Sequence, residues 1–109
     1  MSQFSEILTR LAATIEARKG ADPASSYTAK LLAGGPPLAA KKFGEEAVET
    51  ALAAVMSDKE AIAAESADLI YHWLVLLTAT GVSLDAVAEK LEAREGTSGI
   101  AEKASRPKG

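Results

Sequence analysis

Four carboxylates are spaced for chemistry. Glu46 and Glu49 stand three residues apart in GEEAVETALAAV, and Glu65 and Asp68 stand three apart in ESADLIYHWLVLL. On a helix, residues at that spacing are neighbours on one surface, and like charges there repel by about 0.2–0.5 kcal/mol. The second pair leads into Leu69, Ile70, Trp73, Leu74, Val75 and Leu77, an almost wholly apolar run. His72, four residues beyond Asp68, continues the acidic stripe, and Leu76 follows it. A buried carboxylate without a partner is costly and ordinarily takes up a proton. Two on adjacent turns call for compensation. Fifteen residues lie between Glu49 and Glu65, enough to finish one helix, turn and begin an antiparallel one. The pairs can then face each other across a helix interface and form an oxygen-rich pocket. Hard divalent cations favour such pockets, and a bound cation supplies the offsetting charge.

Other readings compete. A lone E-x-x-E or E-x-x-D is common on solvated helix faces, and Lys41, Lys42 and Lys59 are available as partners. The two pairs together, each beside an apolar stripe and joined by a hairpin-length gap, say more than either alone. A di-iron carboxylate bundle requires Glu-x-x-His pairs. Three residues after Glu65 stands Asp68, and three after Asp68 stands Tyr71, so that centre is disfavoured. His72 fits a hydrogen-bonded core residue, and its place on the stripe also allows it to orient Asp68. Tyr71 and Trp73 read as core or interface.

The elements that must position these acids are helical. Phe4, Ile7, Leu8, Leu11 and Ile15 recur at helical spacing, with Ser2 or Ser5 as cap and Gly20 as terminator before Asp22-Pro23. ASSYTAKLLA, residues 24–33, suggests a short helix capped by Ser25 or Ser26. GGPP at 34–37 is a break, and proline is tolerated in a first turn, so the next helix is expected from Pro37 or Leu38. In it, Val48, Ala51, Leu52 and Val55 form the expected core stripe, with Glu45, Glu46, Glu49 and Lys42 on an arc beside it. A fourth helix is expected from about Asp58 to Thr80, stopped by Gly81. Ser83 caps a fifth, in which Leu84, Val87 and Leu91 share a face, and Gly96 closes it. The tail, residues 97–109, is polar and expected to be mobile unless tied down. No strand pattern, repeat or linker interrupts the chain. The expected class is all-α, one domain over 1–109, built around a four-helix bundle.

Bulk properties exclude several functions. The 109 residues suit one domain, with 48% hydrophobic and 25% charged residues, which argues against disorder. Aromatics are only 5%. A chain this short has a modest core, which an oligomer would enlarge. The net charge is -3 and no basic stripe is present, so nucleic-acid binding is not favoured. Without cysteine there is no disulfide, thiolate metal site or thiol nucleophile. MSQFSEILTRL lacks a signal pattern, and Leu69–Leu77 is too short to span a bilayer. A soluble cytoplasmic protein is expected, with no membrane partner.

With ExxE at Glu46–Glu49 and ExxD at Glu65–Asp68, the chain resembles the all-α nucleoside triphosphate pyrophosphohydrolases, the MazG-type and dimeric dUTPase group. SYTAKLL at 26–32, KKFGEEAVE at 41–49, ESADLIYHWLVLL at 65–77, GVSLDAV at 81–87 and REGTSGIAEKASR at 94–106 narrow the resemblance to the phosphoribosyl-ATP pyrophosphohydrolase family. The acidic pairs mark the superfamily, and SYTAKLL and EKASR pick out this member. The matching segments cover most of the chain from residue 26 onward.

The resemblance implies a MazG-type fold of about five helices, a homodimer, and Mg²⁺ as cofactor. It implies cleavage of the α–β phosphoanhydride of phosphoribosyl-ATP to phosphoribosyl-AMP and pyrophosphate, the second step of histidine biosynthesis. Under it, Glu46, Glu49, Glu65 and Asp68 hold Mg²⁺. A glutamate among them accepts a proton from water, and Glu45 is a further candidate, so the catalytic set is Glu45, Glu46 and Glu49. Substrate-binding candidates are Ser26, Tyr27, Thr28, Lys30, Lys42, Lys103 and Arg106, the last suited to a bidentate grip on phosphate. Two alternatives remain: an enzyme of the same superfamily acting on dUTP or non-standard nucleotides, and a non-catalytic helical dimerisation module.

Overall fold

Small polar side chains start four of the five helices. The computed structural model describes residues 2–95. Ser2, Ser26, Asp58 and Ser83 each stand in extended backbone, and their side chains accept hydrogen bonds from the N–H groups of Ser5, Ala29, Ala61 and Ala86. Each such cap stabilises its helix by about 1 kcal/mol. They open α1 (Gln3–Ala17), α2 (Tyr27–Ala33), α4 (Lys59–Thr80) and α5 (Leu84–Arg94). The remaining helix, α3 (Gly35–Val55), begins without a side-chain cap. Its first turn contains Pro36 and Pro37, whose missing N–H groups would be unsatisfied there anyway. It therefore starts at Gly35, two or three residues ahead of the start expected at Pro37 or Leu38. Among the described residues there is no strand, in keeping with the all-α class expected from the periodicity.

The short turn Met56–Asp58 folds α4 back against α3, and this antiparallel hairpin is the principal packing of the chain. Gly81 ends α4 in the left-handed conformation at φ 75°, where any Cβ is disfavoured. Helices α1 and α2 pack against one end of the hairpin. There Ile15, Leu31, Ala39, Leu74 and Val75 make the buried core, with Leu11, Leu38 and Trp73 packed beside it. No residue of α5 is buried, although Leu84 reaches the core's edge. The face expected from Leu84, Val87 and Leu91 is thus only partly used, and Leu91 is exposed.

One expectation fails. Val48, Leu52 and Val55 are 60%, 57% and 81% exposed, and Ala51 is exposed too, so they are not the core stripe of α3. The inward face runs instead through Ala39, Phe43, Glu46, Ala47, Thr50 and Ala53, all buried or half-buried. These residues also recur at helical spacing. The most apolar stripe of α3 is not the one that meets α4, because the α4 partner itself brings carboxylates to the interface. The whole of α4 is long and apolar enough to cross a membrane by length and composition. This corrects the reading from Leu69–Leu77 alone, since alanines extend the apolar stretch toward the N-terminal end. The same composition serves a helix packed on several sides, which is how α4 meets α1, α2 and α3.

Candidate functional site

Midway along the hairpin, α3 and α4 bring three carboxylates together. Glu46, Glu49 and Glu65 each offer an oxygen, and these oxygens lie within 4.8 Å of one another. Glu46 and Glu65 are half-buried and Glu49 is exposed, so the group opens to solvent on one side. Glu46 Oε2 and Glu65 Oε2 are buried and have no hydrogen-bond partner among the described residues. Buried polar atoms are nearly always satisfied, so each such orphan calls for a partner.

The crowding shows in protonation. A hydrogen-bonding contact with Glu49, loss of surrounding water, and repulsion from Glu49, Glu46 and Asp68 push the Glu65 carboxyl up to about 7. Loss of water, followed by repulsion from Glu49, also raises Glu46. Asp68 is exposed and stands outside the tight trio, yet it is near enough to repel both Glu46 and Glu65. A protein that holds such a group without a cation keeps it partly protonated.

Around the trio, Lys42 pairs with Glu45 at 3.5 Å on the surface of α3. One turn beyond Asp68, His72 is only 7% exposed, and its Nδ1 has no partner among the described residues. Burial lowers its pKa; Asp68 and Glu45 oppose that and Lys42 adds to it. The imidazole is therefore favoured neutral. Its ring stands edge-on to Tyr71, centroids 4.9 Å apart.

The substrate-binding candidates separate into groups. Ser26 is committed as the cap of α2, accepting from Ala29 N–H at 3.1 Å. Tyr27 and Lys30 are exposed. Thr28 is half-buried and shares a 2.6 Å hydrogen bond with the Tyr71 hydroxyl. Lys103, Arg106 and the tail 97–109 lie outside the described residues. The Thr28–Tyr71 contact joins residues 43 apart, and local spacing carries no signal for it. A separate cleft of about 280 Å³ lies between α1, the end of α4 and the start of α5. Its one acid, Glu16, is tied to Lys19 at 3.1 Å, so it offers no second carboxylate cluster.

Known proteins match this chain closely. The family model described as phosphoribosyl-ATP pyrophosphohydrolase matches residues 8–95. A protein of Caulobacter vibrioides named phosphoribosyl-ATP pyrophosphatase is 75% identical over 107 residues, covering 97% of this chain and 99% of its own. One of the same name from Cereibacter sphaeroides is 64% identical over 100 residues, covering 92% and 97%. Another, from Ruegeria pomeroyi, is 61% identical over 103 residues, covering 94% and 98%.

Proposed function

The chain belongs to the phosphoribosyl-ATP pyrophosphohydrolase family, and from that premise we propose that it hydrolyses phosphoribosyl-ATP to phosphoribosyl-AMP and pyrophosphate with Mg²⁺ in the acidic cluster. This is the second step of histidine biosynthesis, and a cytoplasmic location follows from that role. The observation that carries the proposal is the trio Glu46, Glu49 and Glu65, with two buried oxygens lacking partners. An all-oxygen donor set suits a hard divalent cation. A cation there would give Glu46 Oε2 and Glu65 Oε2 the partner they lack and hold both carboxyls ionised.

Glu46, Glu49 and Glu65 would hold the ion, with Asp68 as the fourth carboxylate of the site. When bound, Mg²⁺ neutralises phosphate charge and orients the leaving pyrophosphate. The chain's own residues do the rest. Glu45, Glu46 and Glu49 are the candidates to take a proton from the attacking water. Lys30 and Lys42 supply cationic charge for the polyphosphate, with Lys103 and Arg106 of the C-terminal tail. Ser26, Tyr27 and Thr28 offer hydroxyl groups to phosphate or ribose. In the balance, one water is consumed, one phosphoanhydride is broken, and the proton leaves through the accepting carboxylate.

A homodimer belongs to the same proposal. The stripe Val48, Leu52 and Val55, extended by Met56 at 79% exposure, leaves large apolar side chains on the outer face of α3. The Cα radius of gyration is 16.0 Å, against about 13 Å for a compact chain of this length. A second copy packed on α3 would bury the stripe and complete a bundle that one chain leaves open.

The test is pyrophosphate release from phosphoribosyl-ATP, with and without Mg²⁺, by the wild type and Glu49→Gln, with dUTP and ATP as controls. Release from phosphoribosyl-ATP alone, lost without metal and in the variant, is the expected result. Cleavage of dUTP or ATP instead would move the chain to another activity of the superfamily. A folded protein that releases nothing from any of them would be a helical binding module.

A further inference from the structure

Thr28 and Tyr71 make the one hydrogen bond between two neutral side chains among the described residues. It joins α2 to α4 across 43 residues, at 2.6 Å and partly buried. That length is at the short end of the range for O–H···O bonds. Each hydroxyl carries one proton and two acceptor positions. A phenol, with a pKa of about 10, is a better donor than an aliphatic hydroxyl. Either oxygen can be the donor; with Tyr71 donating and Thr28 accepting, the Thr28 proton is left unspent.

The surroundings hold this arrangement. The Tyr71 ring packs against the core and stands edge-on to His72. Helix α2 is only seven residues long and stays in place through Ala29 and Leu31, both buried. Thr28 precedes Ala29 and is half-buried, whereas Tyr27 points to solvent. Tyr71 lies three residues past Asp68, a rise of about 4.5 Å along α4. Residues three apart on a helix are neighbours on one surface, so Tyr71 and the Thr28 hydroxyl it meets flank the side of α4 that carries Asp68. Thr28 makes no other side-chain hydrogen bond among the described residues.

We propose that Tyr71 is a positioning residue: by donating its phenolic proton to Thr28, it sets the Thr28 hydroxyl to donate its own proton to an anionic oxygen of the substrate. The proposal rests on the phosphoribosyl-ATP reading above. It assigns Tyr71 a role in substrate binding that acts through Thr28 and leaves bond breaking to the carboxylates. A hydrogen bond made equally in the ground and transition states changes KM and leaves kcat in place.

The experiment compares steady-state kinetics on phosphoribosyl-ATP for the wild type, Tyr71→Phe, Thr28→Val and the double variant, with a thermal melt of each. Tyr71→Phe should raise KM by about three- to tenfold, the worth of one neutral hydrogen bond, with kcat within about twofold. Thr28→Val should raise KM at least as much. The double variant should match Thr28→Val alone, because Tyr71 acts only through that hydroxyl. A lower Tm with unchanged KM for Tyr71→Phe would make the contact a structural strut and overturn the proposal. So would effects on KM that multiply in the double variant. If Tyr71→Phe does not fold, Thr28→Val, which keeps the tyrosine, carries the test, and an unchanged KM there overturns it equally. A wild type that does not turn over phosphoribosyl-ATP removes the functional reading itself, and the two failures are told apart by that control.

Discussion

Mg²⁺ binding should expel protons from the acidic cluster, by an amount that depends steeply on pH. Contact with Glu49, loss of water and repulsion by Glu49, Glu46 and Asp68 raise the Glu65 carboxyl to about 7. The cluster titrates as a unit, so this midpoint belongs to the group of acids centred on Glu65. A group with that midpoint is about nine-tenths protonated at pH 6, half at pH 7 and one-tenth at pH 8. A cation requires the ionised ligand, so binding releases about 0.9, 0.5 and 0.1 proton per site at those three values. The folded pKa lies above the unfolded one, so this group's contribution to stability is fully present below about pH 4.5 and is lost as pH rises through about 7. The metal-free protein should therefore melt at a lower temperature at pH 8 than at pH 6. Added Mg²⁺ should raise Tm more at pH 8 than at pH 6. Isothermal titration calorimetry in buffers of different ionisation enthalpy counts the protons released. Glu65→Gln should cut the pH-dependent release to the share carried by Glu46 and shrink the Tm change between pH 6 and 8. Proton release that is constant across this range, or identical in Glu65→Gln, would refute the assignment of the raised carboxyl to this cluster.

Glu49→Gln should weaken Mg²⁺ binding by at least about tenfold, or about 1.4 kcal/mol, measured by the same calorimetry at pH 8. If the proposed homodimer forms through the outer face of α3, the wild type should sediment at twice 11.3 kDa and Val48→Asp combined with Leu52→Asp at 11.3 kDa; a wild type at 11.3 kDa would remove the dimer, and an unchanged mass in the variant would remove this face as its contact. Gly81→Ala forces a Cβ into left-handed backbone at the end of α4 and should destabilise the fold by about 1 kcal/mol, a drop of about 4–8 °C in Tm for a domain of this size. Leu74→Ala removes a side chain that is only 2% exposed and should destabilise by about 2–5 kcal/mol in a urea melt.

Much of the fold was legible locally. Serine or aspartate caps, the Gly81 stop and helical periodicity locate α1, α2, α4 and α5 to within a few residues, because capping and glycine conformation act over one turn. The sequence pattern places the start of α3 two or three residues late, since Pro36 and Pro37 read as a break when they are part of a permitted first turn. The acids were legible as well. Spacing of three puts Glu46 with Glu49 and Glu65 with Asp68 on shared surfaces, and a hairpin-length gap lets the two surfaces meet.

Which surfaces meet was a matter for the tertiary structure. Helix α3 has two stripes of suitable period, and hydrophobicity alone selects Val48, Leu52 and Val55. The hairpin turns the stripe with Glu46 and Thr50 toward α4 and leaves the more apolar one outside. A stripe's hydropathy is a property of one helix, whereas its partner is settled by the geometry of a turn and by what the facing helix presents. For the same reason no spacing rule reveals that Thr28 reaches Tyr71, or that Asp68 stands just outside the three carboxylates that draw within 4.8 Å. The sequence by itself determined the helices, their caps and the identity of the acids. Only the folded hairpin decided which oxygens crowd together, which of them lose water, and which apolar face is left for a second chain.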